Sequence, residues 1–195
     1  MDKHHQDHKT PSKEYKIVMV GCRNSGLSSL YNRIVKDAFS KEVQQQGIRS
    51  DKIHFKDGKY NAVLFDIAGP ERLPHITEET LKGTSVVVIV FDVTNRKTFE
   101  QCSYLYNEAL KVVDTEEVEF VLFGTKNDLP NREVEYDEGE KFAMQRGMFY
   151  FDGSAAEGNS TSLKNHLEEV LDKIYKKDHP THQAPDKKKN HCALV

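Results

Sequence analysis

Positive charge is not in surplus in this chain of 195 residues. Its 28 Lys and Arg stand against 31 Asp and Glu, a net charge of −3. A global basic field of the kind that gathers nucleic acid is absent, so no nucleic-acid partner is expected. Cysteine is scarce as well. Cys22, Cys102 and Cys192 are odd in number and far apart, which argues against a disulfide framework and fits a reducing, cytosolic setting. No apolar run reaches the ~18 residues of a membrane-spanning helix. The polar N-terminus does not read as a secretory signal. Long enough to bury one substantial core, the chain suits a single medium domain.

What is present centres on Val20-Gly21-Cys22-Arg23-Asn24-Ser25-Gly26-Leu27-Ser28-Ser29. An apolar run from Tyr15 to Val20 precedes it and reads as a buried strand. Leu27, Leu30, Tyr31, Ile34 and Ala38 follow at the spacing of one helix face. Strand, Gly-x-x-x-x-Gly, then helix is the layout of a phosphate-binding loop (P-loop). There, inward-pointing backbone N–H groups and the positive helix end hold a phosphate chain. The motif calls for Gly-Lys-Ser/Thr at its end, and Leu27 stands where the lysine belongs.

Around this loop the chain divides simply. Residues 1–13 are polar, with His4, His5 and His8, and are expected to be a solvated, disordered arm rather than a metal site. Residues 14–175 form the domain. Asp37 to Ser50 is polar and is expected to be a long mobile loop. Asp51 to Lys56, Asp57-Gly58, then Tyr60 to Phe65 has the signature of a hairpin with a tight turn. Residues 71–84 suggest a short irregular helix. Val86 to Val90 and Val118 to Phe123 read as strands buried on both faces. Helices are expected through Phe99–Val113, Tyr136–Arg146 and Leu163–Ile174, with a short strand at Met148–Phe151. Strands alternating with helices predict an α/β fold with a mostly parallel sheet, in which ligands bind outside the carboxyl ends of the strands. Residues 176–195 read as a flexible tether with Lys187-Lys188-Lys189. It ends Cys192-Ala193-Leu194-Val195, a prenylation-type end.

Four motifs in order now resemble the Ras-like small GTPases, most closely the Rab branch. They are the loop at 21–28, Asp66-x-x-Gly69, Thr125-Lys126-Asn127-Asp128 and Ser154-Ala155. Glu71-Arg72 and Phe91-Asp92-Val93-Thr94 also read like Rab sequence. The resemblance implies a six-stranded, mostly parallel sheet with helices on both faces. It implies GTP or GDP as the ligand and Mg²⁺ as its metal. Nucleotide contacts would come from Gly21, Asn24, Ser25, Gly26, Leu27, Ser28, Ser29, Gly69, Thr125, Lys126, Asp128, Ser154, Ala155 and Ala156. Ser28 and Asp66 would hold the metal, which prefers oxygen ligands. The Asp128 carboxylate suits guanine, accepting from its N1–H and its exocyclic amine, and it rejects adenine; an ATP-using phosphotransferase is thereby disfavoured. Effector and regulator proteins would meet residues 37–50 and 67–84. Cys192 would carry a lipid, giving a peripheral protein on the cytoplasmic face of a membrane with a cytosolic pool.

Three departures set the activity expected. The lysine's charge-assisted bond to phosphate is worth about 1.5–3 kcal/mol, and Leu27 cannot donate; Arg23 is a candidate replacement cation. No Thr lies between Thr10 and Thr77, so the first switch loop lacks its metal-binding hydroxyl. That position falls near Gln44 to Gln46, and Ser40 and Ser50 are poorly placed for it. Pro70 replaces the water-positioning glutamine and has no side-chain amide to offer. The expectation is a Rab-like guanine-nucleotide switch in vesicle traffic or signalling with slow or absent hydrolysis and no catalytic residue named. The alternative is a pseudo-GTPase, an interaction module independent of nucleotide.

Overall fold

The architecture comes from a computed structural model, which describes residues 13–40, 47–68, 76–157 and 159–180. Expectations for residues 1–12, Gln44 to Gln46, Gly69, Pro70, Glu71-Arg72, the lysines 187–189 and Cys192 lie outside those residues. Six strands form one sheet: β1 (Glu14–Gly21), β2 (Gly47–Phe55), β3 (Tyr60–Ala68), β4 (Val86–Asp92), β5 (Glu119–Thr125) and β6 (Phe149–Gly153). Their order across the sheet is β2-β3-β1-β4-β5-β6. Only β2 runs antiparallel, paired with β3; the other neighbours are parallel. Helices α1 (Leu27–Lys36), α2 (Glu78–Leu81), α3 (Arg96–Leu110), α4 (Tyr136–Met144) and α5 (Ser160–Asp178) connect and flank them.

The central strands carry unbroken apolar runs because both sheet faces are covered. Successive side chains alternate between the faces. Ile17, Met19, Val86, Val88, Val90, Val121 and Phe123 point to one core with Leu30, Tyr31 and Ile34 of α1 and Leu163, Leu167 and Leu171 of α5. Val18, Val20, Val87, Ile89, Phe91, Phe120 and Leu122 point to the other core, with Phe99, Cys102 and Leu105 of α3 and Ala143 of α4. Each fully buried side chain of this size stabilises the fold by about 1.5–3 kcal/mol. The parallel connections place the ends of β1, β3, β4, β5 and β6 on one edge of the sheet, and the loops leaving them build the site.

The β2–β3 hairpin differs in extent from its sequence expectation. Asp57 (φ 52°) and Gly58 (φ 89°) take the positive φ values that a two-residue turn requires, and Lys59 N donates to the Lys56 carbonyl at 3.0 Å. The strand, however, starts at Gly47 rather than Asp51. Ladder pairing to Ile67 and Ala68 carries it into the region expected to be loop; side-chain alternation does not mark this extension. Of the helix expected over 71–84, the described part is Glu78–Leu81, capped by a reciprocal Thr77–Thr80 box. Helix α5 continues to Asp178, three residues past the domain end at 175. Among the described residues no helix is long and apolar enough to cross a membrane.

Candidate nucleotide site

The loop between β1 and α1 is shaped by close backbone approach. A Cβ on Gly21 would lie 2.6 Å from Ser25 Oγ and 2.8 Å from the Val90 carbonyl, so only glycine fits there. Asn24 (φ 67°) and Gly26 (φ 83°) are left-handed, which turns the loop back toward the helix it starts. Gly26 sits at the α1 N-terminus without any side-chain cap. The first-turn N–H groups therefore face the loop's concavity, where the helix end is positive. Ser25 is buried, and its Oγ has no hydrogen-bond partner among the described residues. Ser28 and Ser29 are half-buried on the first turn of α1. Leu27 is only 4% exposed and packs in the core. It has joined the apolar stripe of α1, as its spacing with Leu30 and Ile34 suggests.

The loop after β5 is tied directly to the phosphate loop. The Thr125 hydroxyl donates to the Ser25 carbonyl at 2.5 Å, with the Phe91 carbonyl at 3.0 Å. A Cβ on Gly26 would meet that hydroxyl at 2.6 Å. Lys126, also left-handed, donates through Nζ to the Asn24 carbonyl at 3.1 Å and to Asp92 Oδ2 at 2.5 Å. The contacts to Ser25 and Asn24 join residues about a hundred positions apart in sequence. Asn127 Nδ2 reaches Asp152 Oδ1 at 3.1 Å, and Arg132 holds the other Asp152 oxygen at 2.8 Å. Asp128 is half-buried, and no described residue donates a hydrogen bond to it. Its acceptor capacity on this wall of the cleft is uncommitted within the described chain.

The loop after β6 completes the wall. Ser154 Oγ accepts from the backbone N–H groups of Ala156 and Glu157 at 3.0 and 2.9 Å, closing a tight turn. Ala155 is buried, and its carbonyl accepts from Arg33 Nε at 2.8 Å. Arg33 also holds Asp37, whose Oδ1 accepts from Ser160 N at 2.9 Å. That backbone hydrogen bond, followed by the Arg33 one, keeps the Asp37 carboxyl below its ordinary range. Two helices and the turn between them are thus fixed against one another.

At the third corner, the structure adds a residue absent from the sequence expectation. Asp66 is 0% exposed near the end of β3. Arg49 stands directly opposite it in the β2–β3 ladder. Arg49 Nε and Nη2 donate to Asp66 Oδ2 at 3.1 and 2.8 Å. The same guanidinium reaches the Ser28 carbonyl at 3.2 Å and Asn32 Oδ1 at 2.9 Å. It lies 4.2 Å over the ring of the fully buried Tyr31, whose hydroxyl donates to Asp51 at 2.8 Å. Burial, and then the Asp51 hydrogen bond, push the Tyr31 phenol up, so it stays a neutral donor. Arg23, the sequence candidate for a replacement cation, is exposed on the loop. Arg49 was legible in one respect: it stands eight residues before Asp57 and Asp66 eight after Gly58, so a two-residue Asp-Gly turn makes them partners.

Gly21, Asn24, Ser25, Gly26, Ser28, Thr125, Lys126, Asp128, Ser154, Ala155 and Ala156 therefore line neighbouring loops at one sheet edge, with Leu27 withdrawn into the core. The chain is similar to known proteins along most of its length. A family model described as "Ras family" matches residues 16–176. A Caenorhabditis briggsae protein called "Ras-related protein Rab-18" is 28% identical over 182 residues, covering 90% of both chains. "Ras-related protein RABA5e" of Arabidopsis thaliana is 32% identical, over 83% of this chain and 74% of its own length. "Ras-related protein Rab-18-B" of Danio rerio is 30% identical, over 82% and 78%.

Proposed function

Since the chain belongs to the Ras-like small GTPases, in their Rab branch, we propose that it binds guanine nucleotide as a membrane-traffic switch with slow or absent hydrolysis. The observation that carries this reading is the cross-tie between the base loop and the phosphate loop. Thr125 and Lys126 are hydrogen-bonded to Ser25 and Asn24 while Asp128 stays uncommitted beside them. A carboxylate so held accepts from guanine N1–H and the exocyclic amine; a base with an acceptor at N1 is rejected. The Ala155 N–H would serve the guanine carbonyl from the turn that the Ser154 hydroxyl closes. The backbone amides of 21–29 and the α1 end serve the phosphates.

Hydrolysis asks for more than binding. It needs a polarised water and a cation on the developing charge. Leu27 supplies no charge, and Pro70 supplies no amide to orient water. The family implies Mg²⁺ with the nucleotide. Ser28 and Asp66 offer oxygen donors of the right kind. The Asp66 carboxylate is nevertheless already paired with the Arg49 guanidinium, which also reaches the Ser28 carbonyl, so the residues in this arrangement do not fit a divalent metal.

Exposed apolar side chains at Phe39 and Ile48 support effector and regulator binding through 37–50; residues 67–84 are the second such segment that the family resemblance implies. Membrane attachment would come through a prenyl thioether at Cys192. One lipid chain and a short basic run give reversible anchoring. Cys192→Ser is expected to move the protein to the cytosol; an unchanged distribution sinks the lipid reading.

The second reading is an interaction module that does without nucleotide, favoured by the burial of Leu27 at the lysine position. Purifying the protein, denaturing it and identifying released nucleotide separates the two. GDP or GTP is expected. An empty protein that also fails titration with both nucleotides rejects the switch and leaves the module.

A further inference from the structure

We infer that Arg49 is the resident cation at the phosphate end of the site, so that guanine nucleotide is held there without Mg²⁺. This inference rests on the guanine reading above for its ligand, but the cation assignment stands on its own geometry. Asp66 is fully buried. A buried carboxylate needs a paired, hydrogen-bonded cation to stay charged. Arg49 is that partner, with two donors on Oδ2 at 2.8 and 3.1 Å. Its Nη2 also reaches the carbonyl of Ser28, the residue whose hydroxyl would be the other metal donor. The guanidinium thus joins the Asp66 carboxylate to the backbone of Ser28 and occupies Asp66 Oδ2 with two donors.

The contact is built into the fold. Arg49 and Asp66 are ladder partners, so the backbone register holds them on one face. Tyr31 supports the guanidinium from below at 4.2 Å, and Asn32 fixes Nη1 from the next turn of α1. Four of the five guanidinium N–H donors are used in these contacts, and one Nη1 hydrogen remains uncommitted among the described residues. Arginine stays charged at every working pH. Magnesium would have to displace this array and supply near-octahedral oxygen geometry, while surrendering waters that it gives up reluctantly. With Leu27 in place of lysine, Arg49 is the positive charge the fold itself delivers to this end of the loop.

The test uses the full chain. Affinity for fluorescent GDP is measured with millimolar Mg²⁺ and with excess EDTA, and bound Mn²⁺ is counted by electron paramagnetic resonance. Wild type is expected to bind GDP equally, within about twofold, in both buffers and to bind no Mn²⁺. Arg49→Ala is expected to weaken GDP about tenfold or more in EDTA, to recover with Mg²⁺, and to gain a Mn²⁺ site. Arg49→Gln keeps an N–H for Asp66 without the charge and serves if Arg49→Ala does not fold. Wild type that loses GDP in EDTA, or that binds Mn²⁺, overturns the assignment. So does the absence of Mn²⁺ from both wild type and the folded variants. Mn²⁺ gained by the variants while no protein binds GDP upholds the cation assignment and defeats the guanine reading separately.

Discussion

The two ends of the site are built from opposite materials. At the base end, Thr125, Lys126 and Ser154 are polar, hydrogen-bonded and anchored to backbone carbonyls or amides. Asp128 is presented there with its acceptor capacity intact. At the phosphate end, the lysine position is an apolar core residue, Leu27, and the buried carboxylate Asp66 is held by Arg49. One end leaves the Asp128 acceptors open on the cleft wall; at the other, the Asp66 carboxylate is paired within the fold. Recognition and phosphate chemistry are thus separable properties of this fold. The loops assigned to the base rest on contacts to the sheet and the P-loop backbone, and these are intact although the lysine position is Leu27.

The contrast can be broken most severely at Asp128. Two charge-assisted hydrogen bonds to guanine are worth about 1.5–3 kcal/mol each. Asp128→Ala is therefore expected to weaken guanine-nucleotide binding on the order of a hundredfold or more, measured by fluorescent-GDP titration. Unchanged affinity would mean the base end reads nothing. The phosphate end can be sharpened instead. Leu27→Lys restores a donor and is expected to tighten binding about tenfold, while its lost packing lowers the unfolding temperature. No gain would show that the loop has diverged beyond that one residue.

The tie between the two ends is next in size. Thr125→Val keeps shape but removes the hydroxyl proton that serves the Ser25 carbonyl. A buried carbonyl left unpaired costs about 1–3 kcal/mol. Thermal unfolding should show that loss, together with weaker GDP binding. The smallest effect serves as a control at the opposite edge of the sheet. Hydrogen bonds from Lys56 and then Tyr60 hold the Asp172 carboxyl at about 2, below its ordinary 3.8. A carboxyl depressed in the folded state stabilises above its unfolded value, and that stability is lost as pH falls from about 4 toward 2. Asp172→Asn is expected to flatten the pH dependence of the unfolding free energy across that window, removing about 1 kcal/mol or less, as suits a partly solvated pair. GDP affinity near neutral pH should stay the same.

Much of this was legible before any coordinates. The apolar runs at Tyr15–Val20 and Val86–Val90 carry their own assignment, because strands buried on both faces need no partner to declare themselves. The Asp57-Gly58 turn declared its register through the positive φ values both residues accept. The start of β2 did not, since residues 47–50 extend by backbone pairing to β3 and show no side-chain pattern of their own. Lys126 is a second case. Its expected role is a nucleotide contact, yet its ammonium is bonded to Asn24 and Asp92, which the β1–α1 loop and β4 deliver.

The sequence by itself determined the order of elements, the two-faced core and the identity of the four loops. Those depend on local periodicity, turn chemistry and residue type. Only the tertiary structure decided that Thr125 binds the phosphate loop and that Arg49 rather than Arg23 is the seated cation. Each of these is a long-range proximity, fixed by sheet order and strand register. A side chain's partners in three dimensions follow from where the sheet carries it, and the sequence separation of 17 from Arg49 to Asp66 is closed only when β2 and β3 pair.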